Sequence, residues 1–162
     1  MNYVPADLIR PVRLNEVAGP AIVLPEPGRD EAFLVTTGEQ PYVCFINGTY
    51  VGDGFPMANA ARWKGLAIEA VRFEVDQTSL FEPALIEQPL GALIRAGTDL
   101  SILIGIKDAH GFNDVTRVPV VCGLPASSAD SEVGFRKWRA VAGDVSNPFV
   151  VFGFEATKTR NM

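Results

Sequence analysis

Histidine, cysteine, basic charge and long apolar runs are all scarce in this sequence, and each scarcity removes a class of function. The single histidine is His110, so a catalytic triad, a Cys–His pair or a histidine-led metal site would have to use that one residue. A cluster of several histidine ligands is excluded outright. Two cysteines occur, Cys44 and Cys122; they form no CxxC pair and lie inside or at the end of apolar segments, where buried free thiols are expected. Spacing alone leaves a disulfide between them open, because pairing depends on distance. Lys and Arg total 14 against 19 Asp and Glu, a net charge of −5, whereas a nucleic-acid backbone requires concentrated positive charge. No apolar run approaches the ~18 residues of a membrane span. The opening MNYVPADLIRPVRL lacks the basic-then-apolar order of a secretory signal. The expectation is a cytoplasmic protein with no nucleic-acid partner, membrane span, metal or cofactor.

What the chain does contain is β-strand signal. Its 162 residues fit one domain, 1–162, large enough to fold on an apolar core alone. Charged residues make up 20% of it, a low share that points to apolar surface hidden against a partner or a second copy. Around Asn47-Gly48 the segment PYVCFINGTYVGDG reads as a hairpin, Tyr42 to Ile46 against Thr49 to Val51, closed by a type I′ turn. The same residues spell the sequon Asn47-Gly48-Thr49, for which the turn is sufficient explanation.

Before the hairpin, frequent prolines rule out a long helix and place Val12–Val17 and Ala21–Leu24 as edge strands, followed by a strand over Ala32–Thr36. After it, FPMANAARW reads as a short helix or an irregular loop. Leu66 to Asp76 alternates, but its apolar residues change parity at Glu69-Ala70, which predicts a bulge or bend passing the chain between sheets. In Leu100–Ile106 the period of two is clean, with Leu100, Ile102, Ile104 and Ile106 on one face. Pro119 makes Val115–Cys122 an edge or bulged strand. Residues 123–134 read as a mobile loop, Phe135–Val141 as a strand, Phe149–Phe154 as a central strand, and Lys158–Met162 as a frayed tail. LVTTGEQPYVCFI and LIRAGTDLSILIGI share one strand-turn-strand order. The fold class that follows is all-β, a two-sheet antiparallel sandwich of jelly-roll type with an irregular N-terminal segment.

Chemistry has few places to reside. His110 lies between Asp108 and Asp114, which could orient an imidazole or add oxygen ligands, although D-x-H-x-x-x-D matches no strong metal pattern. Arg72, Glu74 and Asp76 share one side of their strand and read as a solvated charged row relieved by its neighbours. Arg136-Lys137-Trp138-Arg139 is the one basic cluster, and an indole between cations suits an anion or a sugar. The loop aromatics Tyr50, Phe55, Trp63 and Phe112 add further platforms. Three readings follow. One is a non-catalytic recognition or assembly module, self-associating as a homo-oligomer. Another is a carbohydrate- or small-anion-binding module built on Trp63, His110, Arg136, Trp138 and Arg139. The last is a small enzyme centred on His110.

Overall fold

The computed structural model describes residues 3–83, 87–107, 113–126 and 131–161. The fold is all-β, as composition and alternation predicted, with helical residues confined to short 3-10 turns among the described residues. The first half of the chain forms β1 (Arg10–Arg13), β2 (Ala21–Leu24), β3 (Phe33–Val35), β4 (Tyr42–Phe45), β5 (Gly54–Pro56), β6 (Lys64–Ile68), β7 (Arg72–Val75) and β8 (Leu80–Phe81). The second half forms β9 (Glu87–Pro89), β10 (Leu93–Ala96), β11 (Asp99–Lys107), β12 (Asn113–Val121), β13 (Val133–Phe135), β14 (Lys137–Ala142), β15 (Phe149–Glu155) and β16 (Thr159–Asn161). A first sheet runs β1-β6-β2-β3-β4-β5 and a second β12-β11-β10-β13-β8. A third runs β15-β14-β7, and β16 pairs with β9 in a fourth. No helix among the described residues is long and apolar enough to cross a membrane.

The sheets are layered in sandwich fashion around shared apolar clusters. Ile22, Leu34 and Cys44 of the first sheet meet Leu93, Ile102 and Ile104 of the second, with Trp138 and Phe154 of the third closing the side. The outer face of the first sheet is covered too: Val23, Phe33, Val35 and Val43 pack with Leu14, Met57 and Ala60, which come from the 3-10 turns Leu14–Glu16 and Met57–Ala60. A sheet buried on both faces needs apolar residues at successive positions, and AIVL, FLV and YVCF supply them.

Several expectations hold at residue level. β6 and β7 belong to different sheets, and the corner between them is Ala70, at φ +54 the one non-glycine residue with positive φ among those described. Glu69 pins this corner by accepting from Arg10 Nε at 2.8 Å and from the Ala18 N–H at 3.0 Å. The Arg10 guanidinium holds the Glu69 carboxyl below the usual carboxylate range. β12 is an edge strand whose register shifts between Leu100↔Val121 and Ser101↔Pro119, so Val120 is the extra residue of a bulge next to Pro119. β14 is a strand, and both strand-turn-strand echoes are antiparallel hairpins, β3-β4 and β10-β11.

Others are corrected. β2 is interior, between β6 and β3, because its prolines flank the strand and remove none of its ladder N–H groups. β15, expected at the centre of a sheet, is an edge strand. The tail to Asn161, expected to fray, is held as β16 against β9. β4 does pair with β5, through Val43↔Phe55 and Cys44↔Gly54, but Asn47-Gly48 does not close the hairpin as a type I′ turn. Asn47 Oδ1 accepts from the Ala32 N–H at 2.7 Å and the Ile46 N–H donates to Ala32 O at 3.1 Å, so both residues stay tied to the segment entering β3. Thr49–Val51 lie in the turn, which ends where the Gly52 N–H donates to Phe45 O at 2.8 Å. Gly48 and Gly52 supply the positive φ it requires, +80 and +85. The longer loop carries Tyr50 outward.

Candidate binding surface

The residues singled out from sequence do not meet in one place. Trp138 is buried: its ring stacks on Phe154 at 5.0 Å, meets Phe73 edge-on at 5.5 Å, and its indole N–H donates to Gly91 O at 2.8 Å. That leaves no ring face for a ligand. Arg136 lies over the Phe81 ring, 4.8 Å from its centroid, beside a different apolar cluster. Arg139 is exposed and pairs with Glu74 at 2.6 Å. Trp63 belongs to the outer face of the first sheet. His110 and Asp108 lie outside the described residues; Asp114 accepts from its neighbour's Val115 N–H at 2.8 Å. The charged row of β7 is relieved across β14, where Glu74 faces Arg139 and Asp76 lies 4.0 Å from Lys137.

The thiols offer no activated nucleophile. Cys44 is fully buried, and burial, with Asp53 adding a smaller effect, pushes its thiol far above the ordinary range. Cys122 is exposed, not buried as its apolar neighbours suggested, and is unpaired. Local desolvation and then Asp99 raise it as well. A reactive thiolate needs the opposite environment. Among the described residues no group of three or more His, Cys, Asp or Glu side chains is placed to hold a metal ion.

What the fold does assemble is an aromatic surface on the first sheet. Phe33 and Phe45 are directly opposite in the β3-β4 ladder, with ring centroids 5.2 Å apart. Phe55 of β5 lies 5.9 Å from Phe45, and Trp63 completes the group at 5.4 Å from Phe55 and 5.6 Å from Phe33. The rings meet edge-on or tilted, the arrangement their quadrupoles favour. Tyr50 leans on Phe45 at 5.7 Å from the outside and remains 56% exposed.

Two hollows flank Tyr50. One, of about 390 Å³, has the charged turn Arg29-Asp30-Glu31 facing Tyr50 and Trp63. The other, of about 300 Å³, joins Tyr50 and Phe55 to Asp53 and Arg160. Asp53 Oδ1 accepts from Arg160 Nη2 at 2.9 Å, and Lys158 Nζ lies 3.5 Å from its other oxygen. Sequence pointed to Tyr50, Phe55 and Trp63 as loop aromatics. It missed Phe33 and Phe45, which the alternation of two paired strands could have placed on the same face. Nothing local in the sequence couples Asp53 to Arg160.

The family model for uncharacterised protein y4lG matches residues 11–161, from within β1 to the end of β16. The chain belongs to the y4lG family. Uncharacterized protein y4lG of Sinorhizobium fredii is 31% identical over 132 residues, covering 81% of this chain and 80% of that one. No solved structure matches. All the strands that build the aromatic surface, and the tail that brings Arg160 to it, lie within the span shared with the y4lG family.

Proposed function

We propose that the protein is a non-catalytic recognition module that binds carbohydrate on the aromatic surface of the first sheet. The observation that carries this reading is the exposed ring of Tyr50 between two charged hollows. A sugar presents C–H groups on one face, which pack against a ring, and hydroxyls around its rim, which exchange hydrogen bonds with carboxylates and guanidinium groups. Asp30 and Glu31 on one side of Tyr50, and Asp53 with Arg160 on the other, supply both kinds of rim contact. Strand register fixes Phe33, Phe45 and Phe55 beneath Tyr50, so little ordering cost falls on that part of the surface.

The test is a glycan array followed by calorimetric titration of the best oligosaccharide into wild type and Tyr50→Ala. Because Tyr50 is exposed, its removal is expected to leave thermal stability nearly unchanged while weakening binding about tenfold or more. An array without hits, or Tyr50→Ala binding as tightly as wild type, would overturn the reading.

A second reading, assembly of copies, is favoured by β15. This edge strand is apolar on both faces, and its first residue Phe149 is 37% exposed. An unpaired apolar edge is a template for another strand.

A further inference from the structure

Away from the aromatic surface, the sandwich opens between β7 and the second sheet into a cleft of about 880 Å³. Val71, Phe73 and Val75 border one wall, and Leu100, Val121 and Phe135 border the other. Alternation in β7 turns Phe73 and Val75 this way and Glu74 toward Arg139 on the far side; Arg72, at the start of the strand, shares Glu74's parity but still borders the cleft.

The charge at this cleft runs against the charge of the molecule. The chain carries −5 overall, yet Arg72 and Arg95 line the cleft and, among the described residues, no Asp or Glu does, although Asp99 reaches Cys122 on its border. Arg95 donates to the carbonyls of Gly97 and Pro125, and Arg72 donates to Gly143 O at 2.9 Å. Carbonyls orient a guanidinium without neutralising it, and both groups keep further N–H donors. Among the described residues neither arginine forms an ion pair with a carboxylate. Asp144 is close enough to Arg72 for its charge to help lower that carboxyl, after the Ser146 N–H and hydroxyl. Arg95 makes its side-chain contacts with carbonyls alone among the described residues.

We propose that this cleft binds an amphipathic monocarboxylate, with its apolar tail between β7 and the second sheet and its carboxylate on Arg95, Arg72 adding to the field. Clefts of this volume, mostly apolar with a few placed polar groups, are typical of small-molecule sites. A planar carboxylate is the anion a guanidinium fork takes best. The proposal rests on different residues from the carbohydrate reading and stands or falls apart from it.

The experiment is calorimetric titration of the full chain with decanoate, decanol, acetate and decyltrimethylammonium, each below its micelle concentration. Decanoate is expected to bind at one site, decanol about tenfold more weakly, and acetate and the ammonium not measurably. Arg95→Gln is expected to weaken decanoate about tenfold and leave decanol unchanged, with Arg72→Gln giving a smaller loss. Decanoate that fails to bind, or decanol that binds as well in wild type, overturns the proposal without any variant having to fold. Full retention of decanoate affinity in Arg95→Gln overturns the role of the guanidinium.

Discussion

Trp138 is held by contacts that leave it no freedom, and Gly91 makes them possible. The indole N–H reaches Gly91 O, while the Phe154 ring that stacks on Trp138 also lies where a Gly91 side chain would be. Gly91 has φ +85, a conformation that already disfavours an L side chain. Gly91→Ala therefore combines backbone strain with overpacking against Phe154. Its expected cost is about 2–4 kcal/mol, read from urea unfolding followed by Trp fluorescence; a change below about 0.5 kcal/mol would show that the ring moves aside freely. Alternation sets Trp138 opposite Lys137 and Arg139 and so carries its inward direction, but the basic cluster drew the residue into the ligand-binding reading, which its burial corrects. Its partner at Gly91, 47 positions away, was not legible, because no local pattern records which loop a buried indole will reach.

At the level of elements, legibility followed the range of the forces involved. The bend at Glu69-Ala70 and the bulge beside Pro119 were visible because a parity change and a missing N–H are local facts. The Asn47-Gly48 turn was misread although its signal is strong, because the Asn47 side chain found the Ala32 N–H instead. β16 was missed for the opposite reason: its anchor, Asp53, lies 107 positions from Arg160. Asp53→Asn tests that anchor. It removes the carboxylate from a half-buried guanidinium and from Lys158, and is expected to cost about 1–2 kcal/mol, discounted for partial exposure. Hydrogen exchange should quicken at the Leu90 N–H, which donates to Lys158 O, while the interior of β11 stays protected. Unchanged protection at Leu90 would mean that strand pairing alone holds the tail.

For the whole molecule, low charge pointed to apolar surface hidden against another molecule, and layering accounts for much of it within the chain. The first sheet is covered by the second and third sheets on one side and in part by 3-10 turns on the other, where Phe45, Phe55 and Trp63 stay half-buried. Self-association therefore has to be argued from what remains uncovered, and β15 is the longest edge strand of the third sheet. Pairing of β15 with β15 of a second copy would be antiparallel, the arrangement a two-fold axis produces, and would extend the third sheet across the dimer. Phe149 stands at the start of this strand, partly exposed, so a charge there disfavours an apolar edge contact with modest loss inside the chain. Multi-angle light scattering at micromolar concentration is expected to give the mass of two chains for wild type and of one for Phe149→Lys, with thermal stability of the diluted proteins alike. A wild-type mass of one chain would remove assembly through β15 and leave ligand recognition as the reading the surface supports.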